Sequence, residues 1–119
     1  TAIANLEVFD REDTVARARD HAVALAEALA RHVEPLAHTG PVRQVGTMVG
    51  FDLLRDPSTG ERFPAGERRC HRAVLAARDD GVIVRGLGDT MVLMPPLCAT
   101  ELEMQRMAKA LRLALDSVL

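Results

Sequence analysis

The chain of 119 residues and 12.9 kDa has the size of one domain, so we expect a single hydrophobic core. Its 48% hydrophobic and 27% charged residues exclude a disordered chain. The formal net charge of -2 and the lack of Trp and Tyr argue against nucleic acid as a partner. The longest apolar stretch, residues 91–99, is broken by two prolines and is too short to span a membrane. Since no leader-like segment opens the chain, we expect a cytoplasmic protein.

Helical periodicity begins with the first residues, because Ile3, Leu6 and Phe9 recur at helical spacing. No capping residue or methionine precedes this stripe. We therefore expect the chain to be part of a longer polypeptide, although methionine removal followed by trimming would give the same start.

A longer amphipathic helix is predicted after the acidic residues at positions 10, 12 and 13. Pro35 bends or ends this helix. Its apolar stripe comprises Val15, Ala18, Ala22, Leu25, Leu29 and Leu36.

The middle of the chain predicts strands and one short helix. Residues 42–54 are rich in β-branched and apolar side chains and predict one or two strands, and residues 56–60 predict an exposed turn. The spacing of Cys70, Ala73, Val74 and Ala77 predicts a helix that ends at Gly81.

The last third predicts a hairpin and a final helix. Residues 82–85 and 91–94 predict strands joined by residues 86–90. Thr100 and Glu103 predict a capping box, followed by a buried face at Met104, Ala108, Leu111, Leu115 and Val118. The short antiparallel connections predict an α+β fold, in which helices cover one face of a small antiparallel sheet and leave the other face or an edge free.

Few residues carry recognisable chemistry, and no catalytic, cofactor-binding or metal-binding residue is predicted. Cys70 and Cys98 form no CxxC pair, so we expect two reduced thiols, and the adjacent Cys70 and His71 have no second pair at zinc-site spacing. No phosphate-binding loop or nucleophile elbow is present. The only lysine, Lys109, lies in the last helix at its predicted solvent boundary, which argues against a covalent role.

Arg85 is the exception, because it ends an apolar strand just before a glycine-containing turn. Its planar guanidinium suits bidentate binding of a carboxylate, and the neighbouring glycines allow a ligand to approach the backbone. A solvated arginine at a strand end, or an ion pair with Asp89 across the turn, would explain the same residue.

Four segments resemble the C-terminal part of class III aminotransferases, and the resemblance runs from end to end of the chain. They are AIANLEVF at residues 2–9, VRQVGTMVGFDL at residues 42–53, and GVIVRGLGD at residues 81–89 with LMPPL at residues 93–97. Within the class, the last two stretches most resemble the members of the biotin pathway, which use S-adenosylmethionine as amino donor.

The resemblance implies that residues 1–119 are the small C-terminal domain of a fold-type I homodimer that depends on pyridoxal 5'-phosphate. In this family the residues that hold the cofactor lie upstream of the matching segment, so these 119 residues alone should bind no cofactor and should not transaminate. The implied partners are the upstream large domain, a second subunit, a keto acid and an amino donor. Arg85 matches the arginine that binds the substrate carboxylate, and it is the one site residue that the resemblance assigns.

Two alternatives stay open. The chain could belong to another class III ω-amino-acid or diamine aminotransferase, or it could be a free-standing domain that binds an anion at Arg85. A domain that packs on a larger one should expose an apolar patch, whereas a stand-alone module should behave as a soluble monomer.

Overall fold

The computed structural model describes residues 1–119 and contains four α-helices and six strands. The helices are α1 (Ala2–Arg11), α2 (Thr14–His32), α3 (Arg69–Asp79) and α4 (Glu101–Val118), with a 3-10 helix at Ala65–Glu67. The strands are β1 (Arg43–Val45), β2 (Met48–Asp52), β3 (Leu54–Asp56), β4 (Glu61–Arg62), β5 (Arg85–Leu87) and β6 (Thr90–Leu93). No helix has the length and hydropathy needed to cross a membrane.

The main sheet has four antiparallel strands in the order β1-β2-β6-β5, and β3 and β4 form a separate hairpin. Helices α2, α3 and α4 pack on one face of the main sheet, where Val49, Phe51, Met91 and Leu93 are fully buried. These four side chains alternate along β2 and β6, as expected for strands with one buried face. The predicted α+β fold with a small antiparallel sheet covered by helices is confirmed.

The signals for α3 and α4 are confirmed in detail. Gly81 adopts φ +76 just after α3, a left-handed conformation that glycine adopts without strain. Thr100 and Glu103 form the capping box: the Thr100 hydroxyl accepts a bond from the Glu103 N–H, and the Glu103 carboxylate accepts one from the Thr100 N–H. The predicted inner face of α4 is buried throughout.

Helix α1 has no buried residue, although its apolar spacing predicted the helix correctly. Ile3 is 74% exposed and Leu6 is 64% exposed. The radius of gyration of the chain is 15.6 Å, above the roughly 13.5 Å typical of a compact domain of this length. One apolar helix face therefore lacks a partner within these 119 residues.

Two predictions in the first half of the chain need correction. Helix α2 ends at His32, so Leu36 lies beyond it and the stripe does not extend that far. Pro35 has no backbone N–H and disfavours helical backbone in the residue before it, which explains the early end. Strand β4 was not predicted, because its two polar residues carry no alternation; it pairs with β3 across the predicted turn at residues 56–60.

The predicted strand at residues 82–85 is wrong in its bounds. Residues 82–84 are unpaired, and β5 starts at Arg85. Pro95 and Pro96 follow β6 closely and cannot donate to a sheet ladder, so the pairing stops there. The hairpin turn is correspondingly short: Leu87 pairs with Thr90 around Gly88, which adopts φ +61. Arg85 therefore begins a strand instead of ending one.

Candidate functional site

The uncovered face of the main sheet, which we call the open face, carries Arg85. Directly paired residues of antiparallel strands project to the same side, so the registers identify which side chains share this face. The pairs are Arg43 with Gly50, Gly50 with Val92, Val92 with Arg85, Val45 with Met48, Asp52 with Thr90, and Thr90 with Leu87.

These pairs form a central row that crosses all four strands: Arg43, Gly50, Val92 and Arg85. An arginine stands at each edge of the sheet, separated by about 14 Å because adjacent strands lie about 4.8 Å apart. Between them the row carries only Gly50 and Val92. The centre of the open face therefore carries only small, apolar side chains, with a guanidinium at either end of the row.

The two arginines differ in their partners. Arg43 binds both carboxylate oxygens of Asp52, at 2.9 Å and 3.2 Å, and the Thr90 hydroxyl donates to the same carboxylate. These hydrogen bonds, from Arg43 first and Thr90 second, hold the pKa of Asp52 below its usual value. Arg43 is thereby neutralised within the sheet.

The Arg85 side chain is exposed, and its guanidinium takes part in no hydrogen bond or ion pair of the chain. Its suspected partner Asp89 binds Arg62 instead, at 3.1 Å, which ties β4 to the turn between β5 and β6. The sequence allowed an ion pair between Arg85 and Asp89, and the structure does not contain it. Arg85 keeps all its donors for a group outside this chain.

Close packing behind β5 sets the position of Arg85. The next residue, Gly86, faces α3, and a Cβ there would lie 2.8 Å from Cys70 Sγ and 3.4 Å from Val74 Cγ2. Only glycine lets the strand approach the helix so closely. Because alternate residues of a strand point to opposite sides, packing Gly86 against α3 directs Arg85 onto the open face.

Comparisons with known proteins decide the family. Residues 1–115 match the family described as Aminotransferase class-III. The chain belongs to the class-III aminotransferases.

Among named relatives, the chain is 44% identical to the adenosylmethionine-8-amino-7-oxononanoate aminotransferase of Nitratidesulfovibrio vulgaris, over 98% of the chain and 21% of that protein. It is 43% identical to the enzyme of the same name from Aquifex aeolicus, over 98% of the chain and 26% of that protein. The crystal structure of the Methanocaldococcus jannaschii enzyme of this name matches with a TM-score of 0.90 and 32% identity, over 98% of the chain and 26% of that structure. The chain thus spans about a quarter of the length of these relatives.

Class III membership implies pyridoxal phosphate in the complete enzyme. The residues of this chain do not fit the cofactor: Lys109, the only lysine, is exposed on α4, and the sequence contains no phosphate-binding glycine loop. No group of three or more His, Cys, Asp or Glu side chains could hold a metal ion.

Both cysteines of this class-III chain are free, as predicted. Cys98 is exposed, whereas Cys70 is buried beside Met91, with its Sγ 3.3 Å from the Met91 Sδ. Burial, with a smaller contribution from the Asp89 charge, raises the pKa of the Cys70 thiol to about 11. Cys70 therefore serves as packing and not as a nucleophile.

Sequence reasoning identified Arg85 but missed the network of Arg43, Asp52 and Thr90 on the same face. Alternation along β2, with Met48, Gly50 and Asp52 on one side, is a signal that could have placed Asp52 opposite the core. Its neighbours could not have been found, because Thr90 lies 38 residues away along the chain.

Proposed function

We propose that this chain is the small C-terminal domain of a pyridoxal-phosphate-dependent transaminase that acts as a homodimer. The proposed reaction transfers an amino group from S-adenosylmethionine to 8-amino-7-oxononanoate and yields 7,8-diaminononanoate in biotin biosynthesis. The identity of 43–44% to enzymes named for this reaction supports the choice of substrate. In the complete enzyme, pyridoxal phosphate would supply the amino-transfer chemistry.

The proposed role of this chain is to bind and orient the acceptor. Arg85 is the unneutralised guanidinium on the open face, and it can donate a hydrogen bond to each oxygen of a carboxylate. Gly50 and Val92 leave room beside it for an aliphatic chain. Binding energy at the carboxylate end would hold the distant keto group in position, which is how a remote contact raises the rate of a reaction.

The observation that carries this proposal is the contrast between Arg43, which Asp52 neutralises, and Arg85, which has no partner. A lone guanidinium on an otherwise neutralised face is suited to an anion. The exposed apolar side chains of α1 and of the open face support a domain that packs on a larger one over a free-standing module.

The test is the half-reaction of the complete enzyme with the keto acid, measured for Arg85→Ala and Arg85→Lys. Losing a bidentate charge-assisted contact should lower kcat/KM for the acceptor by about 30-fold to 1000-fold, from about 2–4 kcal/mol. Arg85→Lys should recover part of the loss, because lysine keeps the charge but not the fork. An acceptor whose carboxylate is esterified should react equally poorly with the natural and Arg85→Ala enzymes.

Arg31→Ala is the matched control, since Arg31 is exposed in the last turn of α2, which packs on the other face of the sheet, and also lacks an ion pair. It should leave the half-reaction unchanged. An Arg85→Ala enzyme that reacts with the keto acid at the natural rate would remove Arg85 from the substrate site.

Another ω-transaminase reaction is the second candidate. An (S)-enantioselective omega-transaminase of Thermomicrobium roseum matches the fold with a TM-score of 0.92 and 30% identity. The half-reaction with S-adenosylmethionine separates the two candidates, because an enzyme that accepts an ω-amino acid but not S-adenosylmethionine belongs to the second.

A further inference from the structure

A groove with three basic side chains lies along the free edge of the sheet, between β5 and α3. Its volume is about 350 Å³, a size typical of small-molecule sites. The helix contributes His71, Val74 and Arg78, and the strand side contributes Val84, Arg85 and two glycines. We call it the edge groove.

Helix and strand geometry explain why these basic residues meet. His71 and Arg78 are seven residues apart on α3, almost two turns, so they lie on one face of the helix about 10.5 Å apart along its axis. Val74 lies between them and is buried. Arg85 projects from β5, which is the last strand of the sheet, so its long side chain borders the edge groove as well as the open face.

No acidic residue balances the charge of the edge groove. None of its seven lining residues is Asp or Glu, although the whole chain has a net charge of -2. Asp79 and Asp80 follow Arg78 in the sequence but do not line the groove. Asp89 is held by the ion pair at β4. Neither Arg78 nor Arg85 has an ion pair in the chain.

Two guanidiniums that share a groove without an acidic partner favour an anion between them. A cleft lined by one sign of charge raises the local concentration of the opposite charge. The guanidinium fork also matches the oxygens of a carboxylate. A basic residue in the last turn of a helix stabilises that helix end, which accounts for Arg78 on α3 but not for the lack of any acid across the groove.

We infer that the carboxylate of the acceptor binds in the edge groove between the two guanidiniums, so that Arg78 is a second substrate-binding residue. The inference deepens the proposed function and rests on it for the choice of the acceptor. A carboxylate has two oxygens, so one can accept a hydrogen bond from Arg85 and the other from Arg78. In S-adenosylmethionine the carboxylate is attached to the carbon that bears the transferred amino group. It therefore stays beside the cofactor, which the residues of this chain do not hold.

The test varies the charge at position 78 in the full-length enzyme and measures the half-reaction with the keto acid. Arg78→Lys keeps the charge, Arg78→Gln removes it and Arg78→Glu reverses it. KM for the keto acid should rise in that order, by about 3-fold to 30-fold for Arg78→Gln, because one charge-assisted hydrogen bond is lost at a partly exposed site. The change should appear in KM much more than in kcat, since this contact is remote from the reacting carbon.

Two controls separate substrate binding from a structural role. Arg31→Gln removes an exposed arginine without an ion pair from the last turn of α2 and should leave KM unchanged. An acceptor whose carboxylate is esterified should give the same KM for all three variants at position 78. An effect of equal size on the ester and on the acid would assign Arg78 a structural role and overturn the inference.

The remaining outcomes distinguish this inference from the proposed function. If Arg85→Ala impairs the half-reaction while KM ignores the charge at position 78, the inference is overturned and the proposed function stands. If Arg85→Ala has no effect, the proposed substrate site fails and the inference fails with it. A rise in KM for S-adenosylmethionine instead of the keto acid would place the donor in the edge groove and would also overturn the inference.

Discussion

The close contact behind β5 makes Gly86→Ala an informative perturbation. The added Cβ would lie 2.8 Å from Cys70 Sγ and 3.4 Å from Val74 Cγ2, whereas nonbonded carbon atoms settle at about 3.5–4.0 Å. The sulfur has little freedom to retreat: it lies 3.6 Å from the Thr90 carbonyl oxygen and 3.3 Å from Met91 Sδ. The helix or the strand must therefore shift.

Two opposing contributions set the magnitude. Overpacking a filled core costs about 1–3 kcal/mol, while replacing a glycine within a strand gains about 0.5–1 kcal/mol from the lower entropy of the unfolded chain. We expect a net loss of about 1–2 kcal/mol in the free energy of unfolding. Because Arg85 is the adjacent residue, the same shift should displace it and lower kcat/KM for the keto acid in the complete enzyme.

Urea unfolding measures the loss, with Gly66→Ala as the control. A Cβ at Gly66 would have no atom within 4 Å, and its backbone is not left-handed, so this variant should be as stable as the natural chain. The double variant Gly86→Ala with Cys70→Ala removes the clashing sulfur. It should be more stable than the sum of the two single changes by at least about 1 kcal/mol. Additive changes, or a Gly86→Ala variant of natural stability, would refute the close contact as the reason for glycine.

Three further predictions concern local interactions. Thr100→Ala should lower the free energy of unfolding by about 1 kcal/mol because it removes the capping box of α4. Thr100→Ser should keep the capping box and the stability of the natural chain. Equal thermal unfolding temperatures of the two variants would contradict this prediction. Because the pKa of Asp52 is lowered by folding, its contribution to stability is present above the unfolded value of about 3.9 and is lost as pH falls through the lower folded value. Urea unfolding between pH 2 and pH 6 should therefore vary less steeply for Asp52→Asn than for the natural chain, and identical slopes would contradict the network. With a pKa of about 11, only about one in a thousand Cys70 thiols is ionised at pH 8. Iodoacetamide should therefore modify the exposed Cys98 and leave Cys70 intact until the chain unfolds. Modification of both thiols at the same rate would show that Cys70 is not buried.

The helices could be predicted because their signals are local. The stripe of α4, the capping residues Thr100 and Glu103, and Gly81 after α3 act within one or two turns, so a single pass along the chain finds them. The end of α2 was predicted less accurately, because Pro35 indicates that the helix must end nearby but does not fix the last helical residue, which is His32.

The strands were less predictable because pairing decides them. Residues 82–84 have the composition of a strand, yet they have no partner, while Arg85, Gly86 and Leu87 form one because β6 provides the ladder. Strand composition reports suitability for a half-buried surface, whereas a strand exists only where a neighbour supplies hydrogen bonds.

The sequence by itself determined the α+β class and the helices, and it singled out Arg85 as a candidate binding residue. Periodicity, helix caps and a charged residue among apolar ones can all be recognised from residues that are close together in the sequence. Only the tertiary structure decided what surrounds Arg85. The pairing of β2 with β6 brings residues about 40 positions apart onto one face, where Asp52 neutralises Arg43, Arg62 takes Asp89, and Arg85 is left without a partner. Such long-range registers follow from which faces the whole chain can bury together, and no short stretch of sequence contains that information.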